Sequence, residues 1–136
     1  MSSISLVRRA GVVLVVVALL FAGPAVAAKS KKRKGKTWAS AITLVHSVGT
    51  EFSGVVSSEL DACRAQRLVT VYYTDPHTGQ TLPLSVQRTN GNGRYQVILL
   101  TLAYAGSYQA RVSQRRMRAM KAPQTCRAAQ SSLVPV

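Results

Sequence analysis

Two runs of Lys and Arg are the side chains of this chain best suited to chemistry. Six basic residues fall within positions 29–36, and a second run follows residue 110. Guanidinium and ammonium groups bind phosphate, sulfate and carboxylate, and the guanidinium often does so through two hydrogen bonds. The candidate anion-binding residues are Lys29, Lys31, Lys32, Arg33, Lys34, Lys36, Arg111, Arg115, Arg116, Arg118 and Lys121. For each run the alternative is a solvated basic segment that only keeps the protein soluble.

Side chains suited to catalysis are few. A catalytic site needs a group that titrates near neutral pH or an activated nucleophile. His77 falls in a predicted turn, and His46 falls in an alternating strand, where a surface or strand-edge position is typical. Glu59 and Asp61 could form a carboxylate pair, but nothing in the sequence predicts a cleft around them. No metal-ligand spacing, phosphate-binding loop or hydrolase motif is present, so we predict a protein that is not an enzyme and binds no cofactor or metal.

The first 28 residues have the three parts of a secretory signal peptide. Arg8 and Arg9 precede an apolar run over residues 10–22, and small residues that suit cleavage follow at 25–28. About 13 apolar residues are few for a helix that must cross a hydrocarbon core roughly 30 Å thick. We therefore expect a secreted or cell-envelope protein with a cleaved signal. An N-terminal membrane anchor is the alternative.

Cleavage of this signal changes the charge of the working protein. Loss of Arg8 and Arg9 leaves 16 Lys and Arg against four Asp and Glu, so the formal charge falls from +14 to +12. Such an excess favours polyanionic partners, because each anionic group that is contacted releases counterions. The expected partners are anionic polymers or a membrane surface. Specific nucleic-acid recognition is not expected, because no nucleic-acid-binding motif is present.

The chain has two cysteines, Cys63 and Cys126. In an oxidising compartment a single pair predicts one disulfide, while two free buried thiols and an intermolecular bond are the alternatives. A disulfide would close a loop of about 64 residues and stabilise the fold by roughly 4 kcal/mol. That is comparable to the whole net stability of a small domain.

Strands are the elements that must position these side chains. After residue 40, short runs of β-branched and aromatic residues alternate with turn residues such as Asn90–Gly93, which is typical of antiparallel sandwiches and barrels. The predicted strands are 41–48, 51–58, 68–74, 82–88, 94–101, 107–113 and 131–136, with a weaker one at 115–120. The dense positive charge of the segment before them predicts a disordered arm over residues 29–40.

The period-2 alternation also predicts which side chains face the core. Three strands each offer one clear apolar face, and Phe52 with Val55 or Val56 and Leu60 adds the early part of the core. The predicted inward-facing residues of those three strands are Val69, Val71, Tyr73, Tyr95, Val97, Leu99, Tyr108, Ala110 and Val112.

Four short motifs follow one another in a familiar order. They are Phe-Ser-Gly-Val-Val at 52–56, Val-Thr-Val-Tyr-Tyr at 69–73, Asn-Gly-Arg-Tyr-Gln-Val at 92–97 and Ala-Gly-Ser-Tyr-Gln-Ala-Arg-Val at 105–112. This order resembles the prealbumin-like β-sandwich domains of exported bacterial proteins, namely carboxypeptidase regulatory-like and Cna B-type domains. The resemblance covers residues 43–112 and implies a binding, spacer or surface module. The resemblance also implies a covalent link between Cys63 and Cys126. Cna B-type domains often carry a Lys–Asn isopeptide bond, but Lys121 is the one lysine after the arm, which argues against such a bond here.

The sequence therefore predicts an all-β protein. A single antiparallel β-sandwich of about seven strands occupies residues 41–136, after a signal-peptide helix (1–28) and a disordered basic arm (29–40). The predicted function is a secreted, non-catalytic binding or surface module that engages anionic envelope or extracellular polymers by charge. The alternatives are a structural or accessory sandwich without a specific ligand and, more distantly, a secreted cationic inhibitor or effector.

Overall fold

The computed structural model describes residues 34–118 and 122–136. The predicted signal peptide, residues 29–33 of the predicted arm and Lys121 lie outside the described residues. The described part of the chain is built from strands and one 3₁₀ turn, which confirms the all-β prediction. Its elements are β1 (Lys36–Trp38), β2 (Ala41–Ile42), β3 (Val45–His46), β4 (Glu51–Ser57), the 3₁₀ turn Asp61–Cys63, β5 (Leu68–Thr74), β6 (Thr81–Arg88), β7 (Arg94–Ile98), β8 (Ser107–Val112), β9 (Arg115–Met117), β10 (Gln124–Cys126), β11 (Ala129–Gln130) and β12 (Val134–Pro135).

Three sheets arrange these strands. In the first, β2 and β3 pair with one edge of β4 and β7 pairs with the other edge. In the second the order is β11-β8-β5-β6, and β12 also pairs with β8. All of these pairs are antiparallel. The third, smaller sheet has the order β1-β10-β9, and β1 runs parallel to β10.

The core lies between the first two sheets. Phe52 and Val56 of the first sheet pack against side chains of the second, and the rings of Phe52 and Tyr108 lie 4.6 Å apart between centroids. The predicted inward faces are confirmed: Val69, Val71, Tyr95, Val97, Tyr108, Ala110 and Val112 are buried, and Tyr73 and Leu99 pack against them half-buried. Alternation therefore located the core face of β5, β7 and β8 correctly.

The predicted strand over 41–48 is divided in two around Thr43. The Thr43 amide donates to the carbonyl of Val55 at 3.0 Å, but the Val55 amide donates to the Thr43 hydroxyl at 3.1 Å. A side-chain oxygen thus takes the place of a backbone acceptor, which interrupts the ladder between β2 and β3. The Thr43 carbonyl is thereby free to accept from the hydroxyl of Tyr95 at 2.5 Å.

The prediction of a disordered arm up to residue 40 is wrong at its C-terminal end. Strand β1 begins at Lys36 and pairs with β10 along its whole length. The Lys36 amide donates to the carbonyl of Pro123 at 3.1 Å, and the indole Nε1 of Trp38 donates to the Gln124 side chain at 2.5 Å. Trp38 supplies packing that a run of like charges lacks, which explains why a strand forms next to the lysines.

Candidate anion-binding site

The basic side chains collect at one end of the sandwich. There the register pairs Leu68 with Arg88 and Val55 with Arg94, and the loop between β6 and β7 crosses from one sheet to the other. We call this the basic end. Of the Lys and Arg among the described residues, Arg111 lies within β8 and reaches over Tyr72 of β5. The others lie at this end, or on or next to the small sheet that the disulfide joins to it: Lys34, Lys36, Arg64, Arg67, Arg88, Arg94, Arg115, Arg116, Arg118 and Arg127.

The opposite end of the sandwich has a different chemistry. It is formed by the loops 47–50, 75–80 and 99–106, none of which contains Lys or Arg. The loops are joined, since the Leu99 amide donates to the Thr50 carbonyl at 2.9 Å. Val48 and Leu100 are almost fully exposed there. We call it the apolar end, and the contrast makes the molecule electrostatically one-sided.

A disulfide joins Cys63 to Cys126, as predicted, with 5.4 Å between the Cα atoms. Cys63 ends the 3₁₀ turn that follows β4, and Cys126 ends β10, so the bond ties the small sheet to the sandwich. Both residues are fully buried. The free-thiol and intermolecular alternatives are therefore excluded for this pair in the folded chain.

The small sheet holds one residue of the first predicted basic run and two of the second. Its register aligns Thr37, Thr125 and Arg116 across the three strands, and Trp38, Cys126 and Arg115 one step further on. Lys36, the last basic residue of the first run, places its Nζ atom 3.5 Å from the centre of the Trp38 ring. Lys36 and Arg115, almost 80 positions apart in sequence, thus belong to one sheet.

The second predicted run does not form a continuous cluster. Arg115 and Arg116 are neighbours in β9 and point to opposite faces of the small sheet. Arg115 lies on the face of the buried Cys126 and donates from Nη1 to the Ala65 carbonyl at 3.0 Å. Arg111 lies on β8, where its guanidinium stacks over the Tyr72 ring at 4.4 Å. Lys34 and Arg118 are exposed at the ends of β1 and β9.

Sequence analysis missed Arg67, which is only 1 % exposed. Its Nη1 atom donates to the Cys63 carbonyl at 2.7 Å and to the Ser40 hydroxyl at 3.2 Å. Its Nη2 atom donates to the carbonyls of Ser113 at 2.6 Å and Arg127 at 2.9 Å. One guanidinium therefore connects four segments around the disulfide. No local sequence signal marks this role, because three of the four acceptors lie 27 to 60 positions away in the chain.

A small cavity of about 230 Å³ lies beside Arg67. Residues 66–68 line one side, Arg88 the second, and residues 113–115 the third. We call it the Arg67 pocket. Arg88 donates to the Gln66 carbonyl at 3.4 Å, and Arg115 donates to the carbonyl of Ala65, the residue before Gln66. Two exposed guanidinium groups are thus held against adjacent peptide units, about 3.8 Å apart along the chain.

The charges around the Arg67 pocket are not balanced by carboxylates. Burial, and then the nearby positive charge of Arg115, lower the pKa of Arg67. Within residues 34–118 and 122–136, the one ion pair joins Arg64 to Asp61. The Nε atom of Arg67 is buried and makes no hydrogen bond.

The other candidate groups lie elsewhere. His77 is exposed in the turn after β5, as predicted. His46 is half-buried, with its ring 4.7 Å from that of Phe52 and Nε2 at 3.2 Å from the Gly49 carbonyl. Asp61 and Glu59 are both exposed. Among the described residues there is no cluster of three or more His, Cys, Asp or Glu side chains that could hold a metal ion, and no helix long and apolar enough to span a membrane.

Comparisons of the chain with protein-family models, curated proteins and solved structures found no match.

Proposed function

We propose that the protein is a secreted, non-catalytic binding module that attaches to anionic polymers of the cell envelope or extracellular space through its basic end. The observation that carries this proposal is the one-sided charge distribution: Lys and Arg crowd one end of the described structure and are missing from the three loops of the other. Unpaired like charges held on one rigid surface repel one another, and an anionic polymer relieves that repulsion while it releases its counterions.

Three further features fit this proposal. The disulfide suits an oxidising compartment, in line with the signal peptide expected from the sequence. Lys36, the last basic residue of the predicted arm, begins β1, which pairs with β10 in the same small sheet as Arg115 and Arg116. A shallow groove of about 740 Å³ runs along β4 and β7 and is bordered by Arg88 and Arg94. A prealbumin-like sandwich, as the motif order suggests, would serve as the rigid support for such a surface.

The test is a salt titration of binding. The purified protein is titrated with vesicles that contain anionic lipid, with an acidic cell-wall polymer and with DNA, each over a range of NaCl concentrations. For a charge-driven module, the logarithm of the binding constant should fall linearly with the logarithm of the salt concentration for all three polyanions. No binding at low salt would overturn the proposal and favour an accessory domain without a ligand.

Matched variants locate the surface. One variant neutralises the small sheet (R115Q, R116Q, R118Q), and a second neutralises three positions of the arm (K29Q, K31Q, K32Q) while it leaves β1 intact. The control lowers the net charge of the chain by the same three units at the apolar end (S47E, Q80E, T101E). Both neutralised variants should bind more weakly and have a shallower salt slope, and the arm variant should lose more. Equal losses in the control would mean that net charge alone decides binding, which contradicts a basic-end surface.

A further inference from the structure

We propose that the Arg67 pocket is a built site for one phosphate group that carries close to two negative charges, either free phosphate or a terminal phosphate monoester. This inference deepens the proposed function, because it assigns one specific contact within the otherwise diffuse basic end. Arg88 and Arg67 were not among the binding residues predicted from the sequence.

The geometry of the pocket carries the proposal. Arg88 at the end of β6 and Arg115 at the start of β9 approach the segment 65–66 and donate to its two successive carbonyls. Each guanidinium has five N–H donors, and the protein acceptors use only part of each set. These bonds hold both guanidinium groups at the rim of the pocket, so their remaining N–H donors are already oriented. Less side-chain entropy is therefore lost when the two arginines bind an oxyanion.

The backbone beneath the two arginines is held in an unusual conformation. Gln66 has φ 54° and is the one non-glycine residue with a positive φ within the described ranges. A left-handed conformation is unfavourable at such a residue and persists only where the surroundings determine it. Here the Gln66 amide donates to the Thr89 carbonyl at 3.1 Å, and this bond helps to fix the carbonyls that hold Arg88 and Arg115.

The charge of the site decides the ligand. Arg67, Arg88 and Arg115 line the pocket and no Asp or Glu does. A phosphate monoester carries about −1.5 to −2 charges at neutral pH and offers three acceptor oxygens, so it matches this excess better than a carboxylate or a phosphodiester with one charge. At about 230 Å³ the cavity is smaller than the roughly 300–1,000 Å³ of pockets that bury whole small molecules. It therefore fits a single anionic group, either free phosphate or the end group of a polymer.

Inorganic phosphate is the first probe. Calorimetric titration of the purified protein with phosphate, at constant ionic strength set by NaCl, should give a one-to-one isotherm. The affinity should rise between pH 5 and pH 7 as the dianion forms. Acetate and dimethyl phosphate should bind more weakly than phosphate. Glycerol phosphate, a monoester, should match free phosphate if the site recognises a polymer end group, whereas a clear preference for the free ion would assign the pocket to inorganic phosphate.

A pair of double variants with the same charge change provides the control. R88Q/R115Q removes both rim arginines, and because both are exposed the fold should be retained, which circular dichroism checks. Loss of a hydrogen bond to a charged group costs about tenfold or more in affinity, so phosphate binding should fall at least about a hundredfold in this variant. S47E/Q80E lowers the net charge by the same two units at the apolar end, far from the pocket, and should retain the affinity. Equal affinities in the two variants, or phosphate binding no tighter than that of chloride, would overturn the proposal.

The pocket and the proposed function can fail separately. If polymer binding falls in the variants of the arm, the small sheet and the pocket, while phosphate binding falls only in the two variants that contain R115Q, then both are right and the pocket is one contact among many. If no polymer binds but phosphate does, the pocket is a site for a small ion and the polymer proposal is wrong. If the polymer binds and phosphate does not, the pocket proposal is wrong.

Discussion

Arg67→Met tests whether one buried guanidinium holds the basic end together. Methionine fills a similar volume without charge, and it leaves four acceptors on Ser40, Cys63, Ser113 and Arg127 without their donor. A hydrogen bond to a charged group contributes about 1.5–3 kcal/mol. Part of this is offset, because removal of Arg67 also relieves the cost of burying an unpaired charge, and the part-buried acceptors can bond to water. We expect a net loss of about 3 kcal/mol, near the upper end for point substitutions.

Urea unfolding measures this loss directly. Trp38 is the one tryptophan of the chain, and it lies on β1 within the region that Arg67 connects. Its fluorescence and the far-ultraviolet circular dichroism should report one transition, shifted to lower urea in R67M. In thermal unfolding the same loss corresponds to a Tm lower by about 12–24 °C for a domain of this size.

Two further variants make the result interpretable. Arg94→Met makes the same chemical change at an exposed position of the basic end and should cost less than about 0.5 kcal/mol. Arg67→Lys keeps the charge but lacks the planar fork that reaches acceptors on both sides, so it should fall between R67M and the parent protein. If R67M is within about 1 kcal/mol of R94M, the four hydrogen bonds do not stabilise the fold and the reasoning is refuted.

Three more predictions concern the rest of the fold. Replacing both cysteines by serine should lower the free energy of unfolding by about 4 kcal/mol, measured by urea unfolding, and a loss below about 1 kcal/mol would show that the closed loop is not what stabilises the protein. Gly54→Ala places a Cβ against the Tyr95 ring and the Thr43 carbonyl, so it should cost about 1–3 kcal/mol, whereas Gly91→Ala, which has open space, should be nearly neutral. The Asp75 carboxylate accepts a hydrogen bond from the backbone amide of His77, which lowers the pKa of Asp75 in the folded protein. The stabilisation that this bond gives is therefore complete above the unfolded pKa near 4, and it is lost as the pH falls through the lower folded pKa. Asp75→Asn should remove this part of the acid sensitivity between pH 5 and pH 2, and an unchanged pH dependence would contradict the assignment.

The parts of the fold that the sequence predicted well are the long strands with one buried face. β5 and β8 alternate over six or seven residues, and their inner side chains Val69, Val71, Tyr108 and Ala110 are fully buried. A period of two is detectable at that length, and a shift by one residue would expose the whole face. The strands that sequence analysis missed or divided wrongly have two or three residues, too few to show any period.

The Arg67 pocket could not be predicted for a different reason, although Arg115 was among the predicted binding residues. Tertiary contacts bring its members together, since residues 66–68 lie at the start of β5, Arg88 ends β6 and residues 113–115 lead into β9. An arginine that precedes a strand is ordinarily solvent-exposed, and only carbonyls and a hydroxyl elsewhere in the fold make burial of Arg67 possible. The runs of Lys and Arg attract attention in the sequence, whereas Arg67 and Arg88 are isolated in it.

The placement of the stabilising bonds follows from the placement of the charge. Concentrating like charges at one end of a small domain destabilises that end through repulsion. The disulfide and the four hydrogen bonds of Arg67 lie at this same end, and both connect the small sheet to the sandwich. The apolar end carries no such bond and relies on contacts among its loops, for example the one from the Tyr73 hydroxyl to the Ala105 carbonyl. A domain selected only for solubility would gain from spreading its charges over both ends. Charge that is concentrated and then stabilised by covalent and hydrogen bonds is better explained by a partner that contacts this one surface.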